Sequence, residues 1–165
     1  MDEVTIIALK IMFIMGFTLH NIEEAIWLPA WSKLAIRFQR PVERTQFIFA
    51  DIVITMIGYI VTILDLVYGH SILINLAYLG FIGMMGINVL LPHLAGTIIL
   101  KKYSPGLLTG LFLNLPLSII LISLEIREGT SLYSIIIAII LFSIFTLGIL
   151  KFLLKLGARL FNYEE

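Results

Sequence analysis

The stretch LYSIIIAIILFSIFTLGILKFLL, from Leu132 to Leu154, decides the fold. Its one charge, Lys151, stands near its end. A run of about 20 apolar residues is what a helix needs to cross the hydrocarbon core of a bilayer. Four comparable runs precede it, at Val4–Leu28, Gln46–Tyr68, Ile72–Leu100 and Pro105–Leu124. Between the first and second runs, Pro29 to Thr45 sets Trp31, Leu34, Ile36 and Phe38 among Lys33, Arg37 and Arg40, the pattern of an amphipathic segment lying in the interface plane. The other links are short. The expected fold is therefore all-α: a polytopic bundle of five transmembrane helices forming a single domain over residues 1–165.

Composition agrees. Of 165 residues, 60% are hydrophobic and 13% charged, with a mean hydropathy of +1.06. A soluble domain carries roughly a quarter charged residues, and a chain this apolar would leave most of a water-facing surface greasy. Cysteine is absent, which excludes disulfides, thiolate metal sites and cysteine nucleophiles. The first run lacks a basic leader and a small-residue cleavage site, so it reads as a retained span. No phosphate loop, dinucleotide fingerprint or nucleophile elbow occurs, and no nucleic-acid partner is expected. Membrane lipids are the expected surroundings.

The basic residues sort by side. With an odd number of spans, Lys33, Arg37, Arg40, Arg44, Lys101, Lys102, Lys151, Lys155 and Arg159 share one face, and Arg127 stands on the other. Positive charge collects on the cytoplasmic side, so the expected location is the cell membrane, N-terminus outside and C-terminus cytoplasmic. Lys10 lies within the first span, where its length would let it snorkel outward.

Ionisable groups inside a membrane are costly and usually face the bundle interior with a partner. Counted from the cytoplasmic ends at 1.5 Å per residue, Glu23 and Glu24 lie roughly 6–8 Å deep, Asp51 roughly 8–9 Å, and His20 and His93 roughly 10–12 Å. Asn88 is deeper, at roughly 18 Å. Three spans thus place carboxylates, imidazoles and an amide in one half of the bilayer. His20, Glu23 and Glu24 share a helix face by their spacing of three and four. Pro92 cannot donate a backbone hydrogen bond and frees a carbonyl near Asn88. Asp65 and Glu125 lie with His70 near the outer surface and read as interfacial groups.

Imidazoles and carboxylates are ligands for zinc, manganese or iron. His20, Glu24, His93 and Asp51 are the expected ligands of a divalent transition metal. Glu23 is the expected general base on water, with Asn88 beside it. The expected activity is a metal-dependent hydrolase acting on a lipid or isoprenoid-like substrate near the cytoplasmic leaflet. Two alternatives use the same residues: a metal-free acid/base lipid isomerase, and a non-catalytic ion or proton carrier or membrane accessory protein. A His–Glu pair also serves plain helix packing, where a polar pair adds about 1 kcal/mol. Nothing in the pattern sets an oligomeric state.

The string His20-Asn21-Ile22-Glu23-Glu24 resembles the signature of the HXXEE-motif family, small prokaryotic membrane proteins without a settled biochemical function. Asn88 and His93 in the third span match it as well, as do Tyr103-Ser104-Pro105-Gly106 and Thr109 beyond. The resemblance runs over nearly the whole chain. It implies His20, Glu23, Glu24, Asn88 and His93 as site residues; Asp51 enters from its depth alone.

Overall fold

The computed structural model describes residues 2–36 and 41–161. It has five helices long and apolar enough to cross a membrane: α1 (Glu3–Ser32), α2 (Arg44–Tyr68), α3 (Ile72–Leu100), α4 (Leu107–Arg127) and α5 (Leu132–Phe161). No strand occurs among the described residues. In hydrocarbon every backbone polar group must be satisfied within the chain, and the helix does this locally.

The ends differ from expectation in three places. α1 runs through Pro29 to Ser32, because a proline near a helix end removes one backbone bond only, and the Ser32 hydroxyl donates to the Pro29 carbonyl at 2.8 Å. α4 starts at Leu107, since Gly106 holds a left-handed φ of 91° that ends the preceding turn. α5 continues to Phe161. Of the segment expected in the interface, Trp31 belongs to α1 and Lys33–Ile36 form a turn in which Leu34 and Ile36 are exposed. Arg37, Phe38 and Arg40 lie outside the described residues.

Two helices carry π-helical segments, Val89–Leu94 in α3 and Gly110–Asn114 in α4. Each is a wide, underwound turn inside a longer helix, a feature common at functional sites.

The core lies between α1, α3 and α4, with α5 closing one side. Phe13 and Phe17 of α1 meet Phe81 of α3 edge to face, at centroid distances of 5.5 and 4.9 Å. Lipid tails are as apolar as leucine, so close packing drives helix association here. Gly80 is one instance: a Cβ there would stand 2.6 Å from the Ala138 carbonyl oxygen of α5. α5 buries little of itself and presents most of its apolar surface outward.

At the end of the bundle holding the N-terminus of α1, Lys10 does not reach outward. Its ammonium pairs with Asp65 of α2 at 2.6 Å, and the Asp65 side chain is fully buried. Asp65 is therefore an interhelical partner rather than an interfacial group. The cause is geometric: α1 and α2 run antiparallel in contact, which brings these positions to one level. Glu125 is likewise engaged, accepting from Asn75 Nδ2 at 3.2 Å and Thr130 Oγ1 at 3.3 Å, while His70 is exposed.

Candidate metal centre

At the opposite, basic end, one donor atom each from His20, Glu24 and His93 lies within 4.8 Å of the others. His93 Nε2 is 3.1 Å from Glu24 Oε1, and His20 Nε2 is 3.8 Å from the same oxygen. The imidazoles stand edge to face, 5.0 Å between centroids. His20 is completely buried and His93 nearly so.

Each position follows from its helix. His20 and Glu24 are one turn apart on α1. Asn88 and His93 are five apart, a spacing that an α-helix spreads over different faces. The π segment widens the turn to an i→i+5 repeat, so both side chains point the same way. Asn88 Nδ2 then lies 3.3 Å from His20 Nε2 and 3.2 Å from His93 Nε2.

The ring nitrogens' partners depend on the tautomer. With both rings in the Nδ1–H tautomer, the Asn88 amide donates to both Nε2 atoms and each carries a lone pair there; with Nε2 protonated, His93 donates to Glu24 Oε1 instead. In the Nδ1–H tautomer His93 Nδ1 donates to Ser104 Oγ at 3.3 Å. His20 Nδ1 is directed to the Gly106 backbone but falls short of hydrogen-bond geometry. Two imidazole lone pairs and a carboxylate oxygen thus converge. No ion pair among the described residues brings a lysine or arginine to Glu24. Such a group needs a cation among its members, either a proton shared by His93 and Glu24 or a metal ion. Two nitrogens and one oxygen suit a borderline divalent ion, so the residues present fit one.

The turn before α4 holds the rings in place. Gly106 packs its backbone against both, and a Cβ there would stand 2.8 Å from the Cε1 atoms of His20 and of His93. Gly110 likewise lets α4 close on α1, with His20 Nδ1 only 3.3 Å from where a Cβ would be.

Glu23 has a different setting from its neighbour. Its carboxylate accepts from Tyr103 Oη–H, from Thr109 Oγ1 at 2.6 Å and from Thr109 N–H at 3.2 Å. It joins α1 to the turn and to α4, and is not in the converging group. Burial, then the hydrogen bond to Glu23, pushes the Tyr103 phenol up to about 12, so it stays a donor at neutral pH. Asp51 is not in the group either. It lines the adjacent cavity, and its backbone carbonyl accepts Thr55 Oγ1 at 2.8 Å.

That cavity has a volume of about 470 Å³. Glu24, Asp51, Asn88, His93 and Ser104 form its polar end; Leu28, Phe47, Ile54, Met84, Leu147 and Leu150 are among its apolar walls. It exists because α2 packs along Ile72–Asn88 of α3 and diverges from α3 past Asn88.

The sequence places His20, Glu23, Glu24, Asp51, Asn88 and His93 in one layer; the structure brings His20, Glu24, Asn88 and His93 together and leaves Glu23 and Asp51 outside the converging group. Sequence reasoning missed the roles of Ser104, Thr109 and Tyr103. The cluster Tyr103-Ser104-Pro105-Gly106, dense in turn and hydroxyl residues between two apolar runs, was their one signal.

Comparison with known proteins gives two findings. Residues 11–121 match a family described as proteins of unknown function with an HXXEE motif. The chain is also 41% identical over 148 residues to the uncharacterised protein YrkK of Bacillus subtilis (strain 168), covering 89% of this chain and 94% of that one. No solved structure matches.

Proposed function

The chain belongs to the HXXEE-motif family, and from that premise we propose that it is an intramembrane metal-dependent hydrolase of an amphiphilic, lipid-like substrate. The observation that carries this reading is the convergence of His20, Glu24 and His93 at the polar end of a largely apolar cavity. The chemistry a divalent ion supplies there is polarisation of an ester or phosphoester oxygen and acidification of water.

The chain's own residues take the other roles. His20, Glu24 and His93 hold the ion. Asp51, on the cavity wall, accepts the proton of the attacking water and returns it to the leaving oxygen. The apolar walls hold the substrate's chain, so the scissile group lies between Asp51 and the metal ligands. Glu23 clamps the turn that positions the rings. The basic end is the cytoplasmic one, by the bias of lysine and arginine, so the substrate enters from the inner leaflet.

The test combines metal analysis with turnover of fluorescent phospholipid and isoprenyl-ester substrates by detergent-purified protein. One divalent ion per chain, lost in His20→Ala and His93→Ala, supports the site. Asp51→Asn should keep the ion and lose turnover. A protein that binds no zinc, manganese or iron would overturn the metal reading: hydrolysis without an ion would leave Asp51 and Glu24 as acid and base, and no hydrolysis would favour the acid/base isomerase or the non-catalytic class.

A further inference from the structure

We infer that Asn88 is the fourth metal ligand, its side-chain carbonyl oxygen completing the set of His20, Glu24 and His93. This rests on the metal reading above and adds a donor to it.

Three observations meet at this residue. The first is position. The terminal amide atom of Asn88 is 3.3 Å from His20 Nε2 and 3.2 Å from His93 Nε2, while Glu24 Oε1 is 3.8 Å and 3.1 Å from the same two nitrogens. Ligand bonds of ~2.0–2.1 Å at tetrahedral angles place donors about 3.3–3.4 Å apart. Three of these four distances, 3.1, 3.2 and 3.3 Å, are close to that length and the His20–Glu24 one, 3.8 Å, is longer; Asn88 stands at the fourth corner.

The second is competition for the same electrons. With both rings in the Nδ1–H tautomer, the Asn88 amide donates to the two lone pairs that would hold the ion. An ion and those hydrogen bonds exclude one another. Turning the amide by 180° about its last bond swaps nitrogen for oxygen at nearly constant shape. Asn88 Oδ1 then faces the ion with a lone pair of its own. Without metal the side chain keeps both rings in the ligating tautomer; with metal it supplies a donor.

The third is the local backbone. The π segment Val89–Leu94 is what brings Asn88 under His93. Asn88 also lines the cavity, so a ligand there borders the space a substrate would enter. Two nitrogens and two oxygens make a borderline donor set, suited to zinc, manganese or ferrous iron.

The test uses the full chain in detergent, with zinc affinity measured by chelator competition and the coordination read from the visible spectrum of cobalt(II)-loaded protein. Asn88→Ala should keep a folded, monodisperse protein, weaken zinc by tenfold or more and change the cobalt bands. A residue acting only through the histidines can also lower affinity by that factor, so Asn88→Asp decides. A carboxylate oxygen can only accept, and as a ligand it should restore wild-type affinity or exceed it. Asn88→Asp binding as weakly as Asn88→Ala, or an Asn88→Ala cobalt spectrum identical to wild type, would overturn the fourth ligand and leave the three-ligand site standing. Failure of the wild-type chain to bind zinc or cobalt at all would instead overturn the site itself.

Discussion

Adjacent residues Glu23 and Glu24 do different things because one position on a helix separates their faces. Glu24 turns to the histidines, Glu23 to Tyr103 and Thr109. Glu23→Gln should therefore leave metal stoichiometry at the wild-type value, since the amide still fills the clamp. Tyr103→Phe should lower the unfolding midpoint modestly, by about 1 kcal/mol for a half-exposed hydrogen bond to a charged group. Loss of the ion in Glu23→Gln, read by elemental analysis, would return Glu23 to the ligand set. The phenol's value is raised from 10.0 to about 12 in the folded protein. Its stabilising contribution is present below the ordinary value and is lost as pH rises through the folded one, so the clamp is insensitive to pH near neutrality.

At the scale of elements, the π segment in α3 and the Lys10–Asp65 pair make separate predictions. Deleting Leu90 should convert the π turn to a regular α turn. Asn88 and His93 would then be four apart on a regular helix and still share a face, so the protein should keep both its helical circular dichroism and its zinc. Inserting one alanine after Leu90 should put them on different faces, and retained zinc affinity in that folded insertion variant would show that their shared face is not needed. Asp65→Asn leaves the part-buried Lys10 ammonium without its partner, which costs up to about 3 kcal/mol. Thermal unfolding in detergent should show that loss, and metal content per folded chain should not change. Replacing both, Lys10→Met with Asp65→Leu, should recover most of the stability, because a buried pair often does no better than apolar residues of similar volume.

Spans were legible because their signal is length: nothing but a helix can hold twenty apolar residues in lipid. His20, Glu24 and His93 were legible because ionisable groups at one depth need one another. The π turn was not. Asn88 and His93 are five apart, and that spacing carries no helical face unless the turn is known to be wide. Depth also fails to distinguish Glu23 from Glu24, whose partners come from a turn eighty residues on in sequence. Lys10 was misread because a lysine in a span can reach outward or pair inward, and only the level of Asp65 across the helix interface decides.

For the whole molecule, an odd number of spans is expected to set the termini on opposite sides, with the basic end cytoplasmic. Reporter fusions should place the Tyr68–Ser71 turn outside and the end of the chain inside. Both on one side would contradict the count of spans that brings His20, Asp51 and His93 to the same end.

The central claim is that one divalent ion sits among His20, Glu24 and His93. Anomalous diffraction from crystals grown with zinc tests it most directly, with data collected on both sides of the zinc absorption edge. The predicted result is a single peak per chain in the space between His20 Nε2, His93 Nε2 and Glu24 Oε1. A well-ordered bundle with no peak there, and with His93 and Glu24 joined directly by a hydrogen bond in the presence of zinc, would contradict it.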